Sequence, residues 1–169
     1  DGVHDDAFAL VLGGDCSIIL GCLLAARQGR SRVGLVYADA HADFATPELS
    51  RSGSAASMCL ALAVGRGDTM LARLDGDAPL VRAEDVIVIG RRDEADTPWY
   101  GQDDLRAGPA LDLPMADIRG RAPGAIAGLA LDRLTRSGVE RFWIHLDADV
   151  IDPALVPAVH SPEPDGIPI

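Results

Sequence analysis

Two groups of side chains that can bind metal ions follow apolar runs of strand length. One group comes directly after residues 33–38 and the other directly after residues 142–146, and together they contain Asp39, His41, Asp43, Asp147 and Asp149. In an extended segment, residues two apart point to the same side, so each group delivers its side chains to one place. Carboxylates and imidazoles bind hard and borderline divalent cations, and neighbouring carboxylates repel each other unless a cation neutralises them. The spacing predicts a site for two metal ions, and the alternative for the first group alone is a solvated polar loop.

Apolar runs alternate with helical patterns along the chain. Strands are predicted at residues 9–12, 33–38, 86–89 and 142–146. Helices are predicted at residues 17–28, 54–64 and 124–136, and the segment 111–118 is ambiguous, with a short strand as one interpretation. Continuous apolar runs are typical of strands that are covered on both faces, as in a parallel sheet. We therefore predict a single three-layer α/β/α domain over residues 1–169, with a mainly parallel sheet and a ligand site beyond the carboxyl ends of its strands.

Composition limits the class of protein and of partner. A chain of 169 residues that is 48% hydrophobic can form the core of one domain. The net charge of -11 argues against nucleic acids and anionic membranes, which require a basic surface, and it suits a small cationic ligand. Three cysteines without the spacing of a disulfide framework favour a reducing, cytoplasmic setting. No apolar run is long enough to span a membrane.

Three segments resemble, in order and at similar separations, the motifs of the ureohydrolase superfamily of arginases, agmatinases and formiminoglutamases. The family motifs Gly-Gly-Asp-His-Ser, Asp-Ala-His-x-Asp and Ser-Phe-Asp-x-Asp-x-x-Asp-Pro are matched here by GGDCS, DAHAD and HLDADVIDP. The stretch 159–164 is similar to the loop that follows the third motif. The resemblance covers essentially the whole chain, yet the chain is only about half of a typical member. Because it begins with Asp1 and ends at Ile169 in a Pro-rich loop, we expect a central fragment of a longer protein.

The resemblance implies a binuclear metal centre and a role for each ligand. Asp39 and Asp147 would bridge two divalent ions, one completed by His41 and Asp149, the other by Asp43 and Cys16. The family's metal is Mn²⁺, and Zn²⁺ or Ni²⁺ are alternatives because of Cys16. A hydroxide held between the ions would attack a guanidino or formimino carbon. The resemblance also implies a small cationic amidine as substrate and a homo-oligomeric assembly.

Several residues depart from the family motifs. Cys16 stands where the family has a histidine; a thiolate favours zinc over manganese, and the alternative is a small buried cysteine without a metal. Ala56 occupies the position of the arginase proton-shuttling histidine. Ala45 and Ser54 occupy the positions of two asparagines that grip the amino-acid carboxylate. A site specific for arginine is therefore not expected.

The remaining candidates have less specific support. His160, in the Pro-rich loop, is a candidate proton shuttle, while Ser52 and Asp93 are candidate substrate-binding residues. For Asp93 the alternative is an ordinary surface ion pair with arginine. His145 lies inside a predicted strand and is expected to be a satisfied core residue. The family's guanidinium-binding glutamate would lie beyond Ile169.

Two classes of function are consistent with these residues. The first is a metal-dependent hydrolase of a linear amidine C–N bond, with a guanidino or formimino substrate. The second is a catalytically degenerate ureohydrolase paralogue that keeps the fold for assembly or for metal binding. The changes at Cys16 and Ala56 favour the second, and the five intact carboxylate and imidazole ligands favour the first. An unrelated two-metal hydrolase is disfavoured by the order of the motifs.

Overall fold

The computed structural model describes residues 8–27, 32–76, 78–93, 102–139 and 141–168. The helices are α1 Ile18–Arg27, α2 Cys59–Ala63, α3 Gln102–Ala107, α4 Met115–Ile118 and α5 Pro123–Arg136. The strands are β1 Gly34–Ala38, β2 Val86–Ile89, β3 Leu111–Leu113 and β4 Phe142–Leu146. None of the helices in these five stretches is long and apolar enough to cross a membrane.

The four strands form one parallel sheet in the order β3-β2-β1-β4. Strand β1 lies between β2 and β4, and its last residue, Ala38, pairs with Ile89 on one side and with Leu146 on the other. The three strands therefore end at the same level. Two backbone hydrogen bonds continue this alignment, since the Asp39 N–H donates to the Ile89 carbonyl and the Asp147 N–H donates to the Ala38 carbonyl. The segments that carry the predicted ligands consequently leave the sheet side by side.

Helices cover both faces of the sheet. On one face, Leu35 and Tyr37 of β1 pack with buried residues of α1 and α2 in the larger apolar core. On the other face, Ile87 of β2 packs in a second core with residues of α4 and α5, which include Met115 and Leu134. Burial of these aliphatic side chains is the main stabilising contribution to such a layered fold. The predicted three-layer α/β/α architecture with a parallel sheet is confirmed.

The predicted strand at residues 9–12 is wrong. This segment forms no strand, and Leu10 and Leu12 are 72% and 84% exposed. A strand requires a neighbour for its backbone groups, and no strand in the described part of the chain pairs with this segment. Strand β4, at the end of the described sheet, also has an exposed apolar side chain, Ile144. An apolar run alone therefore does not determine pairing.

Other elements differ from the prediction only at their boundaries. The helix predicted at 54–64 begins as a 3₁₀ turn, Ala56–Met58, and continues as α2. The ambiguous segment 111–118 divides at Pro114 into β3 and α4. Proline has no N–H for a strand ladder but is well accommodated at a helix start, which explains the change at that residue.

Gly90 allows the end of β2 to approach the segment after β4. Its φ is +91°, and a Cβ at this position would lie 2.5 Å from Cγ2 of Val150. Gly138, which follows α5, also has a positive φ, +71°, but a Cβ there would meet nothing within 4 Å. Both positions carry the backbone cost of a left-handed conformation, and Gly90 alone adds a steric contact.

We predict that Gly90→Ala destabilises the chain more than Gly138→Ala does. Backbone strain should lower the free energy of unfolding by about 1–2 kcal/mol in each variant, and the contact with Val150 should add roughly 1–3 kcal/mol for Gly90→Ala. Urea unfolding followed by circular dichroism measures both values. Equal losses in the two variants would show that the packing of Gly90 against Val150 is unimportant.

Candidate metal centre

The carboxylates at the strand ends are oriented by the backbone that follows them. Oδ1 of Asp39 accepts a hydrogen bond from the His41 N–H at 2.8 Å, and Oδ1 of Asp147 accepts one from the Asp149 N–H at 2.9 Å. Such short-range bonds from an aspartate to the N–H two residues later are typical of turns. Each carboxylate is thus fixed where its strand ends.

A first group of donor atoms belongs to Cys16, Asp39, His145 and Asp147, all within 4.8 Å of one another. The Cys16 thiol donates to Oδ2 of Asp147 at 3.1 Å and lies 3.6 Å from Oδ2 of Asp39. Nε2 of His145 lies 3.8 Å from the same Oδ2 of Asp39. This group contains one thiol, one imidazole and two carboxylates, which is a donor set suited to zinc and similar ions.

A second group of donor atoms belongs to Asp39, His41 and Asp149. Nδ1 of His41 lies 3.0 Å from Oδ2 of Asp149 and 3.5 Å from Oδ1 of Asp39. The other oxygen of Asp149 accepts a hydrogen bond from the Ala40 N–H at 3.0 Å, which links the segment after β4 to the segment after β1. Two carboxylates and an imidazole form a suitable donor set for a second divalent ion.

Asp39 belongs to both groups and presents a different oxygen to each. Its Oδ2 faces Cys16 and His145, and its Oδ1 faces His41. The Asp39 side chain is fully buried. A carboxylate in this arrangement can bridge two ions, because each oxygen is available to one of them.

Asp43 lies outside both compact groups. It is buried, and its backbone adopts a positive φ of +46°. Its Oδ2 accepts a hydrogen bond from the Tyr37 hydroxyl at 2.5 Å, and its carbonyl oxygen accepts the Leu60 N–H at the start of α2. The structure therefore ties Asp43 to β1 and α2, with one carboxylate oxygen engaged by Tyr37.

Burial and mutual repulsion make two of the acidic groups, Asp39 and Asp43, hard to ionise without a cation. Burial raises the pKa of Asp39 to about 8, and burial also raises the pKa of Asp43 to about 6. Burial acts in the opposite direction on His41, but its hydrogen bonds to Asp149 and Asp39 outweigh this and raise its pKa to about 11. Burial acts to raise the pKa of Asp149, but hydrogen bonds from His41 and from the Ala40 N–H outweigh it and lower that pKa. A protonated His41 thus pairs with an ionised Asp149, in the place where a divalent ion would provide more charge.

His145 is not the satisfied core residue that the sequence predicted. Its ring stacks on Tyr37 at 4.6 Å, but Nε2 is buried and has no hydrogen-bond partner among the described residues. Burial lowers the pKa of His145, so the imidazole is neutral and retains a lone pair. The signal was in the sequence, because His145 lies two residues before Asp147 and in a strand these two side chains share a side. A buried imidazole nitrogen without a partner, aimed at two carboxylates, fits the presence of a metal ion at this site.

The three weaker candidates lie in different environments. Ser52 and His160 are exposed, and the structure places neither in the two donor groups. Asp93 is buried, so the surface ion pair considered as its alternative is wrong. Its Oδ2 accepts a hydrogen bond from the Ala42 N–H at 2.9 Å, and Oδ1 lies 3.6 Å from the Arg91 guanidinium. Asp93 thus supports the backbone between His41 and Asp43.

Arg92 ties the Pro-rich loop to a segment that carries predicted ligands, a contact that sequence reasoning missed. Its guanidinium donates to the carbonyl oxygens of Asp149 at 2.6 Å, Glu163 at 2.7 Å and Pro164 at 2.8 Å. This brings Oε1 of Glu163 to 3.9 Å from Nε2 of His41. No local sequence pattern indicates these contacts, because they join residues 57 to 72 positions apart.

The family model described as the Arginase family matches residues 2–169. The chain belongs to the arginase family. The arginase of Bacillus subtilis (strain 168) is 32% identical over 167 residues, which cover 98% of this chain and 54% of that protein. The chain spans about half the length of the curated relatives it matches.

Solved structures show the same arginase fold. The crystal structure of arginase from Bacillus cereus superimposes with a TM-score of 0.81 at 32% identity, over 92% of this chain and 52% of that one. The structure of formimidoylglutamase from Bacillus subtilis, at 20% identity, has a TM-score of 0.72 over 94% of this chain and 44% of that one. At that identity the second likeness concerns the fold alone.

The raised pKa values predict opposite effects of pH on the metal-free and the metal-loaded protein. Asp39 binds a proton more tightly in the folded than in the unfolded state between pH 3.8 and about 8, and His41 does so between pH 6.5 and about 11. Without metal, the free energy of unfolding should therefore fall as pH rises from 6 to 8. A bound ion displaces these protons, so the stabilisation by added Mn²⁺ should increase over the same range.

Thermal unfolding at pH 6, 7 and 8, with a chelator or with Mn²⁺, measures both trends. Asp39→Asn removes one of the titrating groups and should flatten the pH dependence of the metal-free protein. Stability of the metal-free protein that rises from pH 6 to pH 8 would contradict the assigned charges.

Proposed function

We propose that this chain carries the metal-binding part of a hydrolase that cleaves a C–N bond of a small linear amidine with two divalent ions. The observation that carries the proposal is the Asp39 carboxylate, whose two oxygens face two different donor groups. When bound, the ions would supply a nucleophile from water at neutral pH and stabilise negative charge as it develops. Membership of the arginase family supports this class of reaction.

The chain's own residues have distinct tasks in this proposal. Asp39 and Asp147 are shared or bridging ligands, and His41 and Asp149 hold one ion. Cys16 and Asp43 are the ligands expected from the family motifs for the other ion. Cys16 Sγ lies 3.6 Å from Asp39 Oδ2, and Asp43 Oδ2 accepts a hydrogen bond from Tyr37. Backbone N–H groups donate hydrogen bonds to the carboxylates of Asp39, Asp147 and Asp149, so these side chains are positioned before an ion or a substrate binds.

The surroundings of the centre favour a cationic substrate. The chain has a net charge of -11, and Glu163, partly exposed, lies at the edge of the second donor group. Acidic groups around a cleft attract cations and orient a guanidino or formimino group. In this proposal His160 remains the candidate proton shuttle, and Ser52 and Asp93 remain candidates for substrate positioning, Asp93 by fixing the backbone at Ala42.

The specificity proposed is for an amidine other than arginine. Ala45 is buried and Ser54 is exposed, and neither offers the amide group that grips an amino-acid carboxylate in the family motif. Ala56 has no group that transfers a proton. The proposed substrate is therefore a guanidino or formimino compound without an α-amino-acid head group.

We predict slow urea release from arginine and faster turnover of another amidine. The loss of a proton-transferring group is worth roughly 10²- to 10⁴-fold in rate. The assay compares arginine with a panel of guanidino and formimino compounds, with Mn²⁺, Ni²⁺ or Zn²⁺ in turn. Arginine turnover as fast as that of any other amidine would contradict the proposed specificity.

Two aspartate variants give the matched control for that assay. Asp147→Asn should remove turnover of every amidine, because the residue belongs to the first donor group. Asp165→Asn changes a carboxylate that is 77% exposed. The backbone of Asp165 has a positive φ, which asparagine also tolerates, so this variant should leave turnover unchanged. Turnover that survives Asp147→Asn would contradict the proposed centre.

A further inference from the structure

We propose that His145 is a direct metal ligand, so that the first ion is held by Cys16, Asp39, His145 and Asp147 and the site prefers zinc. This inference rests on the proposed function, because it concerns one half of the same binuclear centre. It differs from the family-derived ligand set, which assigns no role to the residue at position 145 and uses Asp43 instead.

The position of the His145 ring is determined by the sheet. His145 of β4 pairs with Tyr37 of β1, so both side chains point to the same face. Their rings stack at 4.6 Å with an angle of 15° between the planes. The Tyr37 hydroxyl is itself fixed by its hydrogen bond to Asp43. The imidazole is therefore held in one orientation, with Nε2 towards Asp39.

The distances within the group suit a single tetrahedral ion. Ligand atoms about 2.0–2.3 Å from a tetrahedral zinc ion lie roughly 3.3–3.6 Å from one another. Cys16 Sγ lies 3.1 Å from Asp147 Oδ2 and 3.6 Å from Asp39 Oδ2, and His145 Nε2 lies 3.8 Å from Asp39 Oδ2. The remaining distances within the group are at most 4.8 Å, so side-chain rotations of about 1 Å or less would bring all four atoms onto one ion.

The buried imidazole nitrogen is the independent observation that points to a ligand. Nε2 of His145 has no hydrogen-bond partner among the described residues, whereas polar atoms at such depth are normally paired. Asp39 Oδ2 is too distant for a hydrogen bond at 3.8 Å. Coordination of an ion would satisfy this nitrogen together with the carboxylates that it faces.

The composition of the group determines the preferred metal. One thiolate, one imidazole and two carboxylates in a tetrahedral arrangement are typical of zinc rather than of manganese, which prefers octahedral oxygen sites. The family motifs have histidine at position 16 and serine at position 145, whereas this chain has cysteine and histidine. Compared with the family motifs, the imidazole is thus found at position 145 and not at position 16. Both side chains face Asp39 Oδ2, so either position could supply an imidazole to the same ion.

His145→Ser tests ligation, with His160→Ser as a control that removes an exposed imidazole. Calorimetric titration of the metal-free chain with Zn²⁺ should resolve two sites. His145→Ser should weaken one site by at least 10- to 100-fold, since changes that only orient a ligand already cost that much, and should leave the other site unchanged. His160→Ser should bind both ions as the unaltered chain does. Unchanged affinity in His145→Ser would overturn the inference.

The Co²⁺-loaded chain gives an answer that does not depend on a variant's stability. Each imidazole that ligates paramagnetic Co²⁺ has one N–H proton with a strongly shifted magnetic resonance signal, so His41 and His145 predict two such signals. One signal alone would overturn the inference.

A double variant, Cys16→His with His145→Ser, gives a matched rescue. It should regain the weakened site and shift the preference of that site towards Mn²⁺. Failure to regain the site would count against ligation by His145.

The outcomes separate this inference from the proposed function. If the unaltered chain binds two ions and His145→Ser binds them equally well, the inference fails and the binuclear centre stands. If the unaltered chain binds no ion near Asp39, both fail. If His145→Ser alone loses one ion, both are supported.

Discussion

The parallel pairing of β1 with β2 and β4 determines where both candidate donor groups lie. It brings three strand ends to one level, and the hydrogen bond from the Asp147 N–H to the Ala38 carbonyl fixes the two ligand segments side by side. Gly90 permits the close approach of Val150, and Arg92 fastens the Pro-rich loop to the segment after β4. The donor groups thus arise from backbone geometry, and their side chains have little freedom left to lose when an ion binds.

The centre is energetically unfavourable without a positive charge. Asp39 and Asp43 are buried, and burial raises the pKa of both carboxyl groups. The apolar cores on both faces of the sheet provide the stability that allows this arrangement. Strain of this kind is typical of functional sites, where charged groups are held close together for a ligand.

Local sequence patterns predicted the elements whose burial and termini are encoded nearby. The apolar runs at β1, β2 and β4 and the proline at the start of α5 are of this kind. The segment 9–12 has the same apolar pattern, but a strand also requires a partner, which the local sequence does not specify. The strand position of His145 indicates the core, whereas its spacing of two residues from Asp147 indicates a place beside the carboxylates. The contacts of Arg92 and Asp93 are long-range and leave no periodic signal.

In the proposed centre, Asp39 would lie between two ions. Anomalous X-ray diffraction from crystals of the metal-loaded chain locates each ion independently of any assay. We expect two anomalous peaks about 3.5–4 Å apart, with one oxygen of Asp39 next to each. A single peak, or peaks that do not both lie against Asp39, would contradict it.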